Sequence, residues 1–217
     1  MPPQERRALG HDRDGAVALS EEILSLEHHE VGAAAGVIAR ALHDDPLTVR
    51  LFPDDRERER LAPLMFNAFI RYDQLFGRVD HLAAFAGAAS WLPPGTTETA
   101  ERLAEAGFDD LPDEVPVELL DAVFDSVSGA FGSYAAEPHW HLRLLGVDPG
   151  TQSKGLGTTL LRHGLRYADA EAQPVLLETF AERTLPFYAR NGFEVVVDGV
   201  NPPSGIPFWG LRYTRSD

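Results

Sequence analysis

From Gly146 to Thr158 the chain reads GVDPGTQSKGLGT, with glycines at 150, 155 and 157 and the only lysine of the sequence, Lys154, among them. Leu156, Leu160, Leu161, Leu165 and Ala168 follow at helical spacing, so the glycines stand at the mouth of an amphipathic helix. A helix begins with about four unpaired backbone N–H groups and about half a positive charge. Glycine lets a ligand approach those donors closely and permits the torsions that aim them. Gln152, Ser153, Lys154, Gly155, Leu156, Gly157 and Thr158 therefore make an anion site, and phosphate is its usual occupant. A structural turn is the alternative reading. Gly150 and Gly155 have the spacing of a Walker loop, but Leu156 and Gly157 replace its lysine and hydroxyl residue, which argues against a nucleotide triphosphate. GLGTTL lacks the third glycine of a dinucleotide fingerprint.

The elements that must carry this loop can be read around it. HWHLRLLGV before it alternates as a strand, with Trp140, Leu142 and Leu144 on one face. PVLLETF (174–180) reads as a buried strand, ERTLPFYARNGF as a short helix stopped at Gly192, and FEVVVDGV and PFWGLRYTR as closing strands joined by NPPSG. Strand, loop, helix, strand suits an α/β sheet with a crossover helix. Upstream, Ile23 to Leu26 reads as a strand. Val31, Ala34, Ala35, Ile38, Ala39 and Leu42 mark a helix that stops before Pro46. Leu61 to Phe76 mark a second helix closing at Gly77, and its charged opening is ordinary first-turn chemistry. RVDHLAAFAGAASWLPPG reads as two strands turning near Gly87. Thr96–Gly107 and Asp113–Gly129 read as helices, and FGSYAAEP as a linker. Residues 1–20, mixed in charge and without period, read as a disordered leader, and 21–217 as one domain.

The chain has 217 residues, 44% of them hydrophobic, enough for one sizeable core. It has no apolar run long enough for a membrane span and no secretory signal, and it contains no cysteine for disulfides or thiolate sites. The expected location is cytoplasmic. A net charge of −15 disfavours nucleic acid and anionic membranes, and reads as solubility or as attraction of a cationic small molecule. His28, His29 and His43 lack metal-ligand spacing, so no metal is expected.

LGVDPGTQSKGLGTTLL, followed by LPFYARNGFEV, resembles the GNAT family of acetyl-CoA-dependent N-acetyltransferases. WLPPG, PHWHLRLLGVDP, LETF and PFWGLRY resemble its branch that includes puromycin N-acetyltransferase. The resemblance is strong over 138–215, weaker over 31–95 and thin over the helical insert 96–136. It implies a mixed, mostly antiparallel α/β sheet whose central strands splay, with flanking helices. Residues 138–217 would be the acetyl-CoA-binding core and 21–137 the acceptor side. The pyrophosphate would sit on 152–158, and the pantetheine arm would run along Leu145, Gly146 and Val147. The thioester would lie where the strands part, its oxygen facing free N–H donors worth about 3–4 kcal/mol each. Tyr188 matches the family tyrosine that protonates the departing thiolate, or it is simply a core aromatic. Four residues earlier the family usually has an asparagine that contacts the cofactor; here it is Thr184, with shorter reach and no amide.

The attacking amine needs a base. Glu178 on the flanking strand is the first choice; it could equally hold a cationic amine or be structural. His141 and His139 flank Trp140, and one of them is expected to face the cleft. Trp91, Tyr134 and Trp140 could line the acceptor pocket, with Trp91, Trp140, His141 and Glu178 as the substrate-binding set. The expected protein is an N-acetyltransferase for a small primary amine, working by direct attack in a ternary complex, and a homodimer is compatible with the resemblance. The alternative is a non-catalytic acyl-CoA-binding sensor or interaction module of the same fold.

Overall fold

A computed structural model describes residues 22–215; the leader expected over 1–20 lies outside them. Seven strands form one sheet in the order β1-β2-β3-β4-β5-β7-β6. They are β1 (Ile23–Ser25), β2 (Arg78–Leu82), β3 (Gly87–Leu92), β4 (Trp140–Val147), β5 (Val175–Thr179), β6 (Phe193–Asn201) and β7 (Ile206–Tyr213). Every neighbouring pair is antiparallel except β4 and β5. The parallel pair needs a crossover, which the helix after the glycine loop provides. The expected mixed sheet, mostly antiparallel with flanking helices, is what the structure shows.

Helices cover both faces. α1 (Val31–Ala41), α2 (Pro46–Leu51), α3 (Asp55–Phe76), α4 (Ala100–Glu105), α5 (Val117–Phe131) and α6 (Ser133–Ala136) precede β4. α7 (Leu156–Glu171) makes the crossover, and α8 (Leu185–Arg190) follows β5. The apolar faces of α1, α3 and α5 pack with Leu176, Phe180 and Phe208 into one core. The leucine stripe of α7 builds the other core with Trp91, Trp140, Leu142 and Leu177. Trp91 is buried completely and lies so close to α7 that a Cβ on Gly164 would fall inside its indole.

Several expectations needed correction. The β2–β3 turn is made by Ala83–Phe85, where Ala84 and Phe85 take left-handed torsions; Gly87 is already inside β3, paired with Val147. The helix expected over 96–107 shrinks to α4, and that over 113–129 shifts to α5. The supposed linker contains α6, and α2 was not anticipated at all. Leu144 does not share a face with Trp140 and Leu142. β4 pairs Leu142 with Trp91 and Leu144 with Ser90, leaving Arg143 as an extra residue. Such a bulge reverses the alternation, so Trp140 and Leu142 face the α7 core while Leu144 packs with the α1–α3 core.

Candidate active site

β4 and β5 pair only at Trp140↔Val175 and His141↔Leu176. Beyond these residues β4 stays with β3 up to Val147, and β5 stays with β7 up to Thr179. The sheet therefore opens at its middle, and three cavities lie along the opening.

The first is a cleft of about 520 Å³ lined by Leu145–Val147, Gln152, Ser153, Gly155–Thr158, Arg183, Thr184, Phe187, Tyr188 and Arg190. Its loop is built to present backbone. Ser153 and Gly155 have φ of 64° and 85°, and the left-handed turn at Gly155 opens α7 with no side chain capping the helix. The first intrahelical bond runs from Thr159 N–H to Gly155 carbonyl. Polar neighbours are engaged elsewhere. Gln152 Nε2 donates to Val147 carbonyl at 3.0 Å. Asp148 accepts from Gly150 N–H at 3.0 Å and from Arg40 Nε at 2.9 Å, so this acid stabilises the loop. Uncapped N–H donors with two guanidinium groups in the same wall suit a diphosphate. Lys154 is exposed. Gly146 is constrained by packing as well: a Cβ there would stand 2.8 Å from that of Ala41 in α1.

The third cavity, about 430 Å³, lies on the opposite side of the opening, between β4, β5, α5 and the loop after β3. His141 Nε2 donates to Glu178 Oε2 at 2.9 Å there, and Glu98, His139 and Arg143 share the wall. Burial disfavours the His141 imidazolium, but the charge and hydrogen bond of Glu178 outweigh it and raise its pKa above the ordinary value. Burial lowers His139, whose Nδ1 meets the Glu137 carbonyl at 2.7 Å.

Between the two clefts lies a hollow of about 140 Å³. It shares Leu42, Asp45, Leu145, Thr184 and Tyr188 with the first cleft, and Phe124, Arg143 and Glu178 with the third. Tyr188 stands at one mouth and Glu178 at the other. Burial, and then the carboxylates of Glu178 and Asp45, push the Tyr188 phenol well above its ordinary range, so it keeps its proton at neutral pH. Thr184 satisfies its hydroxyl internally, donating to Ala181 carbonyl at 2.8 Å and lying 2.9 Å from Thr179 Oγ1.

The structure thus gathers Glu178, His141, Tyr188 and the 145–147 and 152–158 segments along one opening. It does not bring Trp91 and Trp140 there. Both are in the α7 core at 0% and 3% exposure, and the Trp140 indole donates to Glu171. They face away by strand alternation: their neighbours His141 and Leu92 line the acceptor-type cleft, which puts Trp140 and Trp91 on the α7 side. His43, expected to be without metal-ligand partners, lies with Asp55 and Glu59, their ligand atoms within 4.8 Å of one another. Asp55 is already held by Arg58 at 2.5 Å.

Sequence reasoning missed Arg143, Asp73, Glu98 and Asp45. Arg143 occupies the bulge and donates to Asp73, at 3.2 Å, and to Glu98. Its guanidinium stacks over Phe69 and Tyr72. Asp73, fully buried, also accepts from Ser90 Oγ at 2.5 Å. An arginine in a leucine-rich strand and an aspartate on the apolar face of a helix were the available signals.

A sheet parted between parallel strands, with an uncapped helix mouth at the parting, is the architecture of the acetyltransferase type of fold. Residues 121–195, from α5 into β6, match the Acetyltransferase (GNAT) domain. A structure described as histone acetyltransferase HPA2 and related acetyltransferase, from Corynebacterium glutamicum, is similar with a TM-score of 0.61 at 18% identity, over 90% of this chain and 96% of that one. Drosophila melanogaster polyamine N-acetyltransferase, an enzyme that forms N-acetylagmatine, has a TM-score of 0.60 at 16% identity, over 89% of this chain and 100% of that one. An agmatine N-acetyltransferase mutant gives 0.60 at 15% identity, over 89% and 99%. At such identities the likeness shows a shared fold. No helix among the described residues is long and apolar enough to cross a membrane.

Proposed function

We propose that the protein is an acetyl-CoA-dependent N-acetyltransferase that acylates a small primary amine by direct attack in a ternary complex. The observation that carries this reading is the meeting of a donor-type cleft and a polar acceptor-type cleft at the opening between β4 and β5, with Tyr188 and Glu178 at the junction.

Bound acetyl-CoA supplies an activated thioester carbonyl. The chain's own residues divide the remaining work. The N–H groups of 152–158 grip the diphosphate, with Arg183 and Arg190 beside them. Leu145, Gly146 and Val147 line the path of the pantetheine arm. Glu178 holds the substrate ammonium and, with His141, takes the proton that must leave before nitrogen attacks. As the C–N bond forms and the C–S bond breaks, Tyr188 Oη gives its proton to the sulfur. The phenol is protonated at neutral pH, with burial and then the Glu178 and Asp45 carboxylates disfavouring the phenolate. The neighbours that act on agmatine support a small amine as acceptor. So does the motif set resembling the branch that includes puromycin N-acetyltransferase.

Thiol release from acetyl-CoA, followed over a panel of primary amines, tests the reading. Amine-dependent release is expected. A second reading, an acyl-CoA-binding module without transfer, is favoured by Thr184, whose hydroxyl is already engaged where the family offers an amide. Tight acetyl-CoA binding with no release by any amine would establish that reading instead.

A further inference from the structure

We infer that the hollow between the two clefts is an acyl pocket, and that the protein accepts acyl-CoA donors of about four to six carbons as well as acetyl-CoA. This rests on the proposed donor cleft, and it concerns what lies beyond the sulfur.

The hollow has about 140 Å³, and its body is apolar: Leu47, Leu51, Met65, Phe66, Phe69 and Leu120 form the wall away from the sheet. All six are at most 9% exposed. Most of the polar groups at its rim have partners within the protein. Asp45 accepts from Leu47 N–H, Arg143 is held by Asp73 and Glu98, Glu178 by His141, and Thr179 and Thr184 bond each other. Glu178 meets the ammonium from the acceptor side, and the apolar body beyond the rim carries no charged group for a cation to pair with. An apolar cavity of about 150 Å³ stays dry and takes a guest the size of benzene, about six carbons. An acetyl group has two, so it would leave most of the hollow empty.

Continuity selects the acyl chain over the amine's side chain as occupant. Five lining residues are common to the hollow and the donor cleft, including Leu145 and Tyr188 at the mouth. The amine already has a larger chamber of about 430 Å³ with carboxylates in its wall. A chain attached at the sulfur would enter past Tyr188 and end against Leu47 and Leu51 of α2. These residues then set the longest acyl group accepted.

Calorimetric titration of the protein with CoA, acetyl-CoA, butanoyl-CoA and hexanoyl-CoA tests this without turnover. Hexanoyl-CoA is expected to bind at least tenfold more tightly than acetyl-CoA, and to acylate the same amine. In Leu47→Phe, which fills the hollow, the ratio of the two affinities should fall at least tenfold; Leu51→Phe serves if that variant does not fold. Equal or weaker binding of hexanoyl-CoA by the wild-type protein overturns the pocket and leaves the acetyltransferase reading intact. A Leu47→Phe effect confined to KM for the amine also overturns it, assigning the hollow to the acceptor. Failure of every CoA ester to bind would instead refute the proposed function.

Discussion

At the scale of single residues, the proposed chemistry turns on two protons, one on Tyr188 and one on His141. Tyr188 retains its proton because burial and two nearby carboxylates make the phenolate costly. Tyr188→Phe keeps the ring contacts with Phe187 and Phe193 and removes only the hydroxyl. It should lower kcat at least tenfold while leaving acetyl-CoA affinity within a few fold, as single-turnover and binding measurements would show. His141 retains its proton to higher pH than usual because Glu178 outweighs burial. The sign follows: the charged pair is fully formed below the ordinary histidine value of about 6.5 and is lost as pH rises through the raised one. A pair that still carries its proton cannot take another from the ammonium. kcat/KM should therefore climb through a limb above about 6.5, and His141→Asn should abolish or displace that limb. Unchanged pH profiles would exclude the pair as base. Glu178 was legible from its strand, whereas its bond to His141 was not, because it depends on β4 and β5 lying side by side at that one point.

At the scale of elements, the glycine loop and α7 were legible because a leucine stripe behind bare backbone has few other uses. Gly157→Val should abolish acetyl-CoA binding in a calorimetric titration, since a Cβ there already meets Phe187 and Val147 at 3.7 Å and further methyls must occupy the cleft. Deeper along the same helix, Gly164→Ala should cost at least about 1–3 kcal/mol in chemical denaturation, because the Trp91 indole beneath it is fully enclosed. Trp91 was misread for a related reason. Read along the sequence, Trp91 is a candidate pocket-lining aromatic, and only the packing of α7 shows its indole to be buried against a helix. The β4 bulge was equally hidden: an extra residue in a strand carries no local signature, and HWHLRLLGV alternates plausibly in either phase. α2 could have been found. Asp45 before Pro46 is an N-cap followed by an N1 proline, but six residues are too few to show a period.

At the scale of the whole molecule, the resemblance reached the fold and the glycine-loop cleft more directly than the opposite chamber. Residues 138–215 carry compact motifs, while the chamber proposed for the acceptor is assembled from α5, the loop after β3, β4 and β5, which no short motif encodes. The overall charge of −15 bears on the role proposed for the glycine-loop cleft. A polyanion approaches an acidic protein against a general repulsion, and Arg183 and Arg190 offset it locally. The double variant Arg183→Ala, Arg190→Ala should raise the Kd of CoA at least tenfold at low ionic strength, with a smaller difference in high salt. A salt-independent difference would mean that the two side chains shape the cleft rather than attract the anion.

The seam at Trp140–His141 and Val175–Leu176 has a mechanical consequence. Only two rungs tie a four-strand leaf, β1 to β4, to a three-strand leaf, β5 to β7, so the leaves resemble the covers of a book with a short spine. A molecule lodged between them acts as a clasp, and its release is a loosening of the whole binding. Amide exchange along β4 from Leu142 to Val147 should slow when CoA is present, while β6, remote from the spine, keeps its unliganded rate.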